Sequence, residues 1–150
     1  MIRYQRRRRY KYTLTSTYAC PTGLSPARPI KRHYLQLDVD GLLTIQPGYA
    51  WDGPSGPTLD TPSFMRGSLV HDALYQLMRE GDLPGEARRR ADELLREICL
   101  AAGMWPPRAQ YVYWFVRRFG ARHPARDRCV EQLQPRRRIA QRTCHEYRIA

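Results

Sequence analysis

No apolar run in this sequence approaches the ~18–20 residues that a membrane helix needs, so insertion of a helix into a membrane is excluded. The basic opening stretch, residues 1–12, is followed by no apolar segment and is expected not to be a secretory signal. The four cysteines, Cys20, Cys99, Cys129 and Cys144, include no CxxC pair. Zinc sites usually bring ligands in close pairs, so free thiols in a reducing compartment are expected rather than a metal finger or a disulfide scaffold. Cys129, Cys144 and His145 come nearest to a zinc set, at a spacing that argues against it. There is no HExxH pair and no phosphate-binding glycine loop. Residues 1–34 lack any acid, and residues 35–60 lack any base.

What is present suits one folded domain, 1–150, long enough to bury a core without staples. Charged residues make up 27% and hydrophobic ones 42%, an ordinary globular balance. Lys and Arg number 26 against 14 Asp and Glu, for a net charge of +12. That charge is uneven. Residues 1–34 carry nine bases, residues 35–60 four acids, residues 61–120 nine bases and seven acids, and residues 121–150 eight bases and three acids. The middle is therefore near neutral, between a basic N-terminal arm, 1–9, and a basic C-terminal extension, 121–150.

The pattern predicts an α+β fold, with a small antiparallel sheet over about 10–46 packed on a three-helix unit over about 62–120. Tyr and Thr alternate from Tyr10 to Tyr18, a period of two that reads as a strand. Residues 21–29 are proline-rich and predict a loop. Asp40-Gly41 predicts a tight turn between strands at Tyr34–Leu37 and Leu42–Ile45. Four prolines and three glycines in residues 47–62 predict an irregular segment, held on the core by Tyr49 and Trp51. Helices are expected from Thr61, as cap, to Gly81, from about Glu86 to Ala102, and from Pro106 to Gly120. The third carries Tyr111, Trp114, Phe115, Val116 and Phe119. One more amphipathic helix around Cys129, Val130 and Leu133 is a candidate.

The clearest chemistry lies in His71 and Asp72 on the first helix and Asp92 on the second. An antiparallel hairpin turning near Leu83 sets Asp92 opposite about Leu74, so one histidine and two carboxylates can approach one point. Such a set is a candidate divalent-metal site, with His71, Asp72 and Asp92 as ligands. It is equally a candidate orienting pair, with a carboxylate fixing the histidine tautomer. Against both, adjacent residues point ~100° apart on a helix, and Arg88 and Arg96 sit at the spacing of surface ion pairs with Asp92. The turn-rich segment from Trp51 to Pro57 could aim Asp52 and Ser55 at His71. It does not match the GxSxG elbow of a serine hydrolase. Arg6, Arg7, Arg8 and Arg9, interleaved with Tyr4, Tyr10 and Tyr12, are candidates for contact with nucleic acid or with an acidic partner protein.

These motifs, read in order, resemble the bacterial and phage family called domain of unknown function 1353, over roughly residues 34–120. The matching positions are Asp52, Ser55 and Pro57, then His71, Asp72 and Tyr75, then Arg89 and Asp92, then Phe119-Gly120. The resemblance implies a phage or prophage protein, in a bacterial host's cytoplasm or in the virion, and implies that the polar residues share one site. In that setting the polar cluster and the basic ends lead to two expected functions. One is a small hydrolase, metal-dependent or cell-wall directed, using His71, Asp72, Asp92 and Asp52, with Ser55, Tyr75 and Trp51 in support. The other is a non-enzymatic virion or tail assembly component, in which the polar cluster is structural and the arginine-rich ends dock partners. Nucleic-acid binding through those ends is a third expectation.

Overall fold

The computed structural model describes residues 2–6, 12–53 and 61–120. Seven short strands precede three helices: β1 Tyr4–Arg6, β2 Tyr12–Leu14, β3 Tyr18–Pro21, β4 Ile30–Lys31, β5 Leu35–Leu37, β6 Leu42–Ile45, β7 Ala50–Trp51, α1 Pro62–Arg79, α2 Ala87–Ala101 and α3 Pro106–Phe119. The class is α+β, as the pattern predicts. No helix among the described residues is long and apolar enough to cross a membrane.

The strands form two antiparallel sheets rather than one. A three-stranded sheet runs β1-β2-β7 and a four-stranded sheet runs β3-β6-β5-β4. The alternation from Tyr10 to Tyr18 is broken between β2 and β3, so the single expected strand becomes two strands in different sheets. Two further expectations give way. Residues 4–6 of the supposed arm form β1, with Tyr4 opposite Leu14 and Arg6 opposite Tyr12. The turn-rich segment contributes β7, whose Trp51 pairs with Tyr12. Ring packing explains both. Tyr4, Tyr12 and Trp51 pack ring against ring at 5.2–6.0 Å, so an aromatic cluster holds these short pairings.

The Asp40-Gly41 turn forms as expected, joining β5 to β6 with Leu37 opposite Leu43. Gly41 has φ +84°, and a side chain there would run into the Leu24 carbonyl, so glycine is required twice over. Inward residues Leu14, Leu35, Leu37, Leu43 and Ile45 meet Leu69, Val70, Ala73, Leu74 and Leu77 of α1 in the main core. A second apolar cluster of Phe64, Leu95, Cys99, Met104, Ala109 and Val112 joins the three helices. Cys20 and Cys99 are free and buried, and burial pushes the Cys99 thiol up to about 12. Cys129, Cys144, His145 and the candidate C-terminal helix lie outside the described residues.

The helices start and stop near their expected positions, with two local differences. Thr61 caps α1 with its backbone only: its carbonyl accepts from the Phe64 and Met65 amides, while its hydroxyl bonds that of Ser63 at 3.1 Å. On α3 the buried side chains are Ala109 and Val112, whereas Tyr111, Trp114 and Phe119 are exposed. The small residues pack with Leu95 and Cys99 of α2 because they permit close approach, and the large rings are left outside.

Candidate functional site

Helices α1 and α2 run antiparallel, as their facing residues show. Gly67 lies against Leu95 and Cys99, His71 meets Asp92, and Tyr75 meets Arg88. Gly67 makes the close approach: a Cβ there would lie 2.8 Å from Cys99 Sγ and 2.8 Å from Leu95 Cδ1. His71 and Tyr75 are four residues apart, hence on one face of α1, and they bracket Asp92. Their rings lie 4.1 Å apart.

Asp92 is the centre of the site, and its residue exposure is 0%. A bare carboxylate buried this way would cost several kcal/mol, so its partners decide whether it is tolerated. Oδ1 accepts from His71 Nε2 at 2.9 Å and from the Tyr75 hydroxyl at 2.7 Å. Oδ2 accepts from Arg117 Nη1 at 3.0 Å, with Arg88 Nε at 3.9 Å. Burial pushes the Asp92 carboxyl upward, but the bonds from His71 and Tyr75, the His71 charge and the Arg117 bond outweigh it and hold the pKa below its ordinary value. Asp92 is therefore an ionised acceptor, and Nε2 of His71 carries the hydrogen in the bond between them.

His71 feels carboxylates on both nitrogens. Its Nδ1 lies 3.7 Å from Asp72 Oδ1. Burial pulls the imidazole pKa down, and the bonds and charges of Asp72 and Asp92 more than reverse this, so it stands above the usual histidine value. Asp72 is 32% exposed at its side chain, and its charge also reaches the buried Tyr49. Burial first, then Asp72, raises the Tyr49 hydroxyl pKa.

The third helix is tied in by two arginines. Arg117 reaches Asp92 directly. Arg88 donates Nε to the Tyr75 oxygen at 3.1 Å and Nη2 to the carbonyls of Val116 and Arg117 at 3.2 and 2.6 Å. Those carbonyls lie in the last turn of α3, and the Val116 carbonyl also accepts from the Gly120 amide. The Tyr75 hydroxyl thus donates to Asp92 and accepts from Arg88. Burial and Asp92 hold its pKa above the ordinary tyrosine value.

The structure thus brings His71, Tyr75 and Asp92 together, with Asp72 beside His71. Of the two surface ion pairs read from the spacing, the Arg88–Asp92 pair is present at 3.9 Å but with a buried carboxylate. Arg96 is placed elsewhere and stacks over the Tyr113 ring at 5.8 Å. Arg89 bonds Glu93 on the surface at 2.9 Å, so Arg88 is the α2 arginine that serves the site. Among the described residues no three His, Cys, Asp or Glu side chains are placed to hold a metal ion. Within the expected ligand set of His71, Asp72 and Asp92, His71 and Asp92 are bonded to each other, and the remaining Asp92 oxygen faces an arginine.

Asp52 is half-buried just after β7, and the bonds joining His71, Tyr75, Arg88, Asp92 and Arg117 are made without it. Trp51 is buried in the aromatic cluster with Tyr4 and Tyr12. Ser55, Pro57, Arg7, Arg8 and Arg9 lie outside the described residues, and of Arg6 only the backbone is described. Arg117 is the participant that sequence reasoning missed. Its one signal was its place in the last turn of an unusually basic helix, where cations suit the helix dipole. No family model matches the sequence, and no curated protein and no solved structure matches it.

Proposed function

We propose that this chain is a non-enzymatic phage virion or tail assembly component, in which the His71–Asp92 cluster is a structural clamp and the basic ends dock partner subunits. The observation that carries the reading is the saturation of Asp92. It has no exposure, and both its oxygens are taken by side chains from α1 and α3. A carboxylate that attacks substrate or exchanges a proton with it must reach it, whereas every partner described for Asp92 is a side chain of the three helices. The phage setting rests on the resemblance over residues 34–120, and the docking role on the concentration of positive charge at 1–34 and 121–150.

The second reading is the small hydrolase, and one observation favours it: the 2.9 Å bond by which Asp92 fixes one nitrogen of His71. Carboxylates orient catalytic histidines in this way. A single variant separates the two. Under the assembly reading His71→Ala lowers the melting temperature by several degrees and reduces the amount of chain recovered with purified particles. A variant that melts with the wild type, and assembles with it, but loses bond-cleaving activity on cell-wall material would instead establish the hydrolase.

A further inference from the structure

Helix α3 presents an outward face that the clamp does not use. Tyr111, Trp114 and Arg118 fall at positions i, i+3 and i+7 and point away from the buried Ala109 and Val112. Trp114 is 57% exposed and Tyr111 46%. Phe119, also exposed, lies edge-on to Trp114 at 6.5 Å and against Phe115 at 4.9 Å, and Phe115 in turn lies 6.3 Å from Tyr111. The rings therefore form a continuous ladder along the helix. Just before the helix, Trp105 is 71% exposed. Two arginines outside the clamp, Arg108 and Arg118, accompany the rings, and no acid occurs anywhere from Ile98 to Gly120.

Exposed aromatic rings are costly in water, and a patch of them marks a contact surface. The accompanying charge selects the occupant. A second copy of this chain would bring the same arginines and the same +12 net charge to the contact, so electrostatics opposes self-association. A polyphosphate strand with accessible bases fits both parts of the surface, because bases stack on rings and phosphates pair with cations. We propose that the α3 face binds single-stranded nucleic acid, with Tyr111 and Trp114 as stacking platforms and Arg118 as a phosphate contact. This surface is separate from the His71–Asp92 cluster, and the proposal stands whether or not that cluster is purely structural.

The test uses the full chain and a fluorescein-labelled twenty-residue oligothymidylate, followed by anisotropy, with heparin as a polyanion that has no bases. Trp114→Ala and Tyr111→Ala keep the charge and remove only exposed rings, so their thermal midpoints stay near that of the wild type. Each is expected to weaken oligonucleotide binding by about fivefold or more, as the loss of one stacked base implies, and to leave heparin binding unchanged. Arg118→Ala is expected to weaken both and to lower the salt dependence of oligonucleotide binding. Equal oligonucleotide affinity for the wild type and the two ring variants would overturn the proposal. So would concentration-dependent self-association, abolished by Trp114→Ala, in a chain that binds no oligonucleotide.

Discussion

His71 Nε2 donates to Asp92 Oδ1 at 2.9 Å, and this contact joins two helices across a buried interface. Asp92 reaches Arg117 of the third helix from its other oxygen. The stability of the helical unit should therefore depend on one side chain more than on any other polar group described here.

Asp92→Ala removes the acceptor and leaves His71, Tyr75, Arg88 and Arg117 facing a cavity. Breaking a buried ion pair from one side typically costs ~3–5 kcal/mol. The expected outcome is a large drop in the urea midpoint, or failure to fold. Tyr75→Phe removes one bond to Asp92 and one from Arg88 but keeps the ring. It should cost about 1–3 kcal/mol on the same measurement.

The clamp also sets a pH range. The His71 pKa is raised above 6.5 in the folded chain, so its contribution is complete below about that pH and is lost as the pH rises through the folded value. The Asp92 pKa is lowered below 3.8, so its contribution is complete above that value and is lost as the pH falls through the folded one. Stability measured by thermal melting should be highest between these limits and should fall on both sides. His71→Gln removes the alkaline fall, so the difference between wild-type and variant curves isolates it.

Arg88 fastens the end of α3 through the carbonyls of Val116 and Arg117. Arg88→Met keeps much of the apolar stem and removes these bonds. Amide exchange should then quicken in the last turn of α3, while amides in the middle of α1 stay protected.

Gly67→Ala tests the close approach of α1 to α2. In an isolated helix alanine is better than glycine by ~1 kcal/mol. Here the new methyl would press on Cys99 Sγ and Leu95 Cδ1, both at 2.8 Å, inside packed core. Overpacking of this kind typically costs about 1–3 kcal/mol. Denaturant unfolding should show a net loss of stability, reversing the sign that helix propensity alone gives.

Much of this architecture is legible in the sequence because local chemistry sets it. Pro62 and Pro106 open α1 and α3, Gly81 and Gly103 follow the ends of α1 and α2, and Asp40-Gly41 turns a hairpin. The placement of Asp92 opposite the His71–Tyr75 turn follows from counting back across the Leu83 bend. What escapes the sequence is set at a distance. Arg88, four residues before Asp92, has the same spacing whether the pair is exposed or buried, and only the packing of α3 decides. Arg117 stands 25 residues from its partner, with no periodic signal linking them. The small residues Ala109 and Val112 rather than the rings face inward on α3, because close helix packing favours short side chains over large ones. The short strands β1 and β7 are fixed by an aromatic cluster that no local propensity reveals.

The most direct test of the structural clamp is a double-mutant cycle on the His71–Asp92 pair, using urea unfolding of the wild type, His71→Ala, Asp92→Asn and the double variant. The account predicts that each single variant is destabilised and that the pair is coupled by about 1–3 kcal/mol. Single variants that unfold at the wild-type midpoint, or effects that add without coupling, would contradict it.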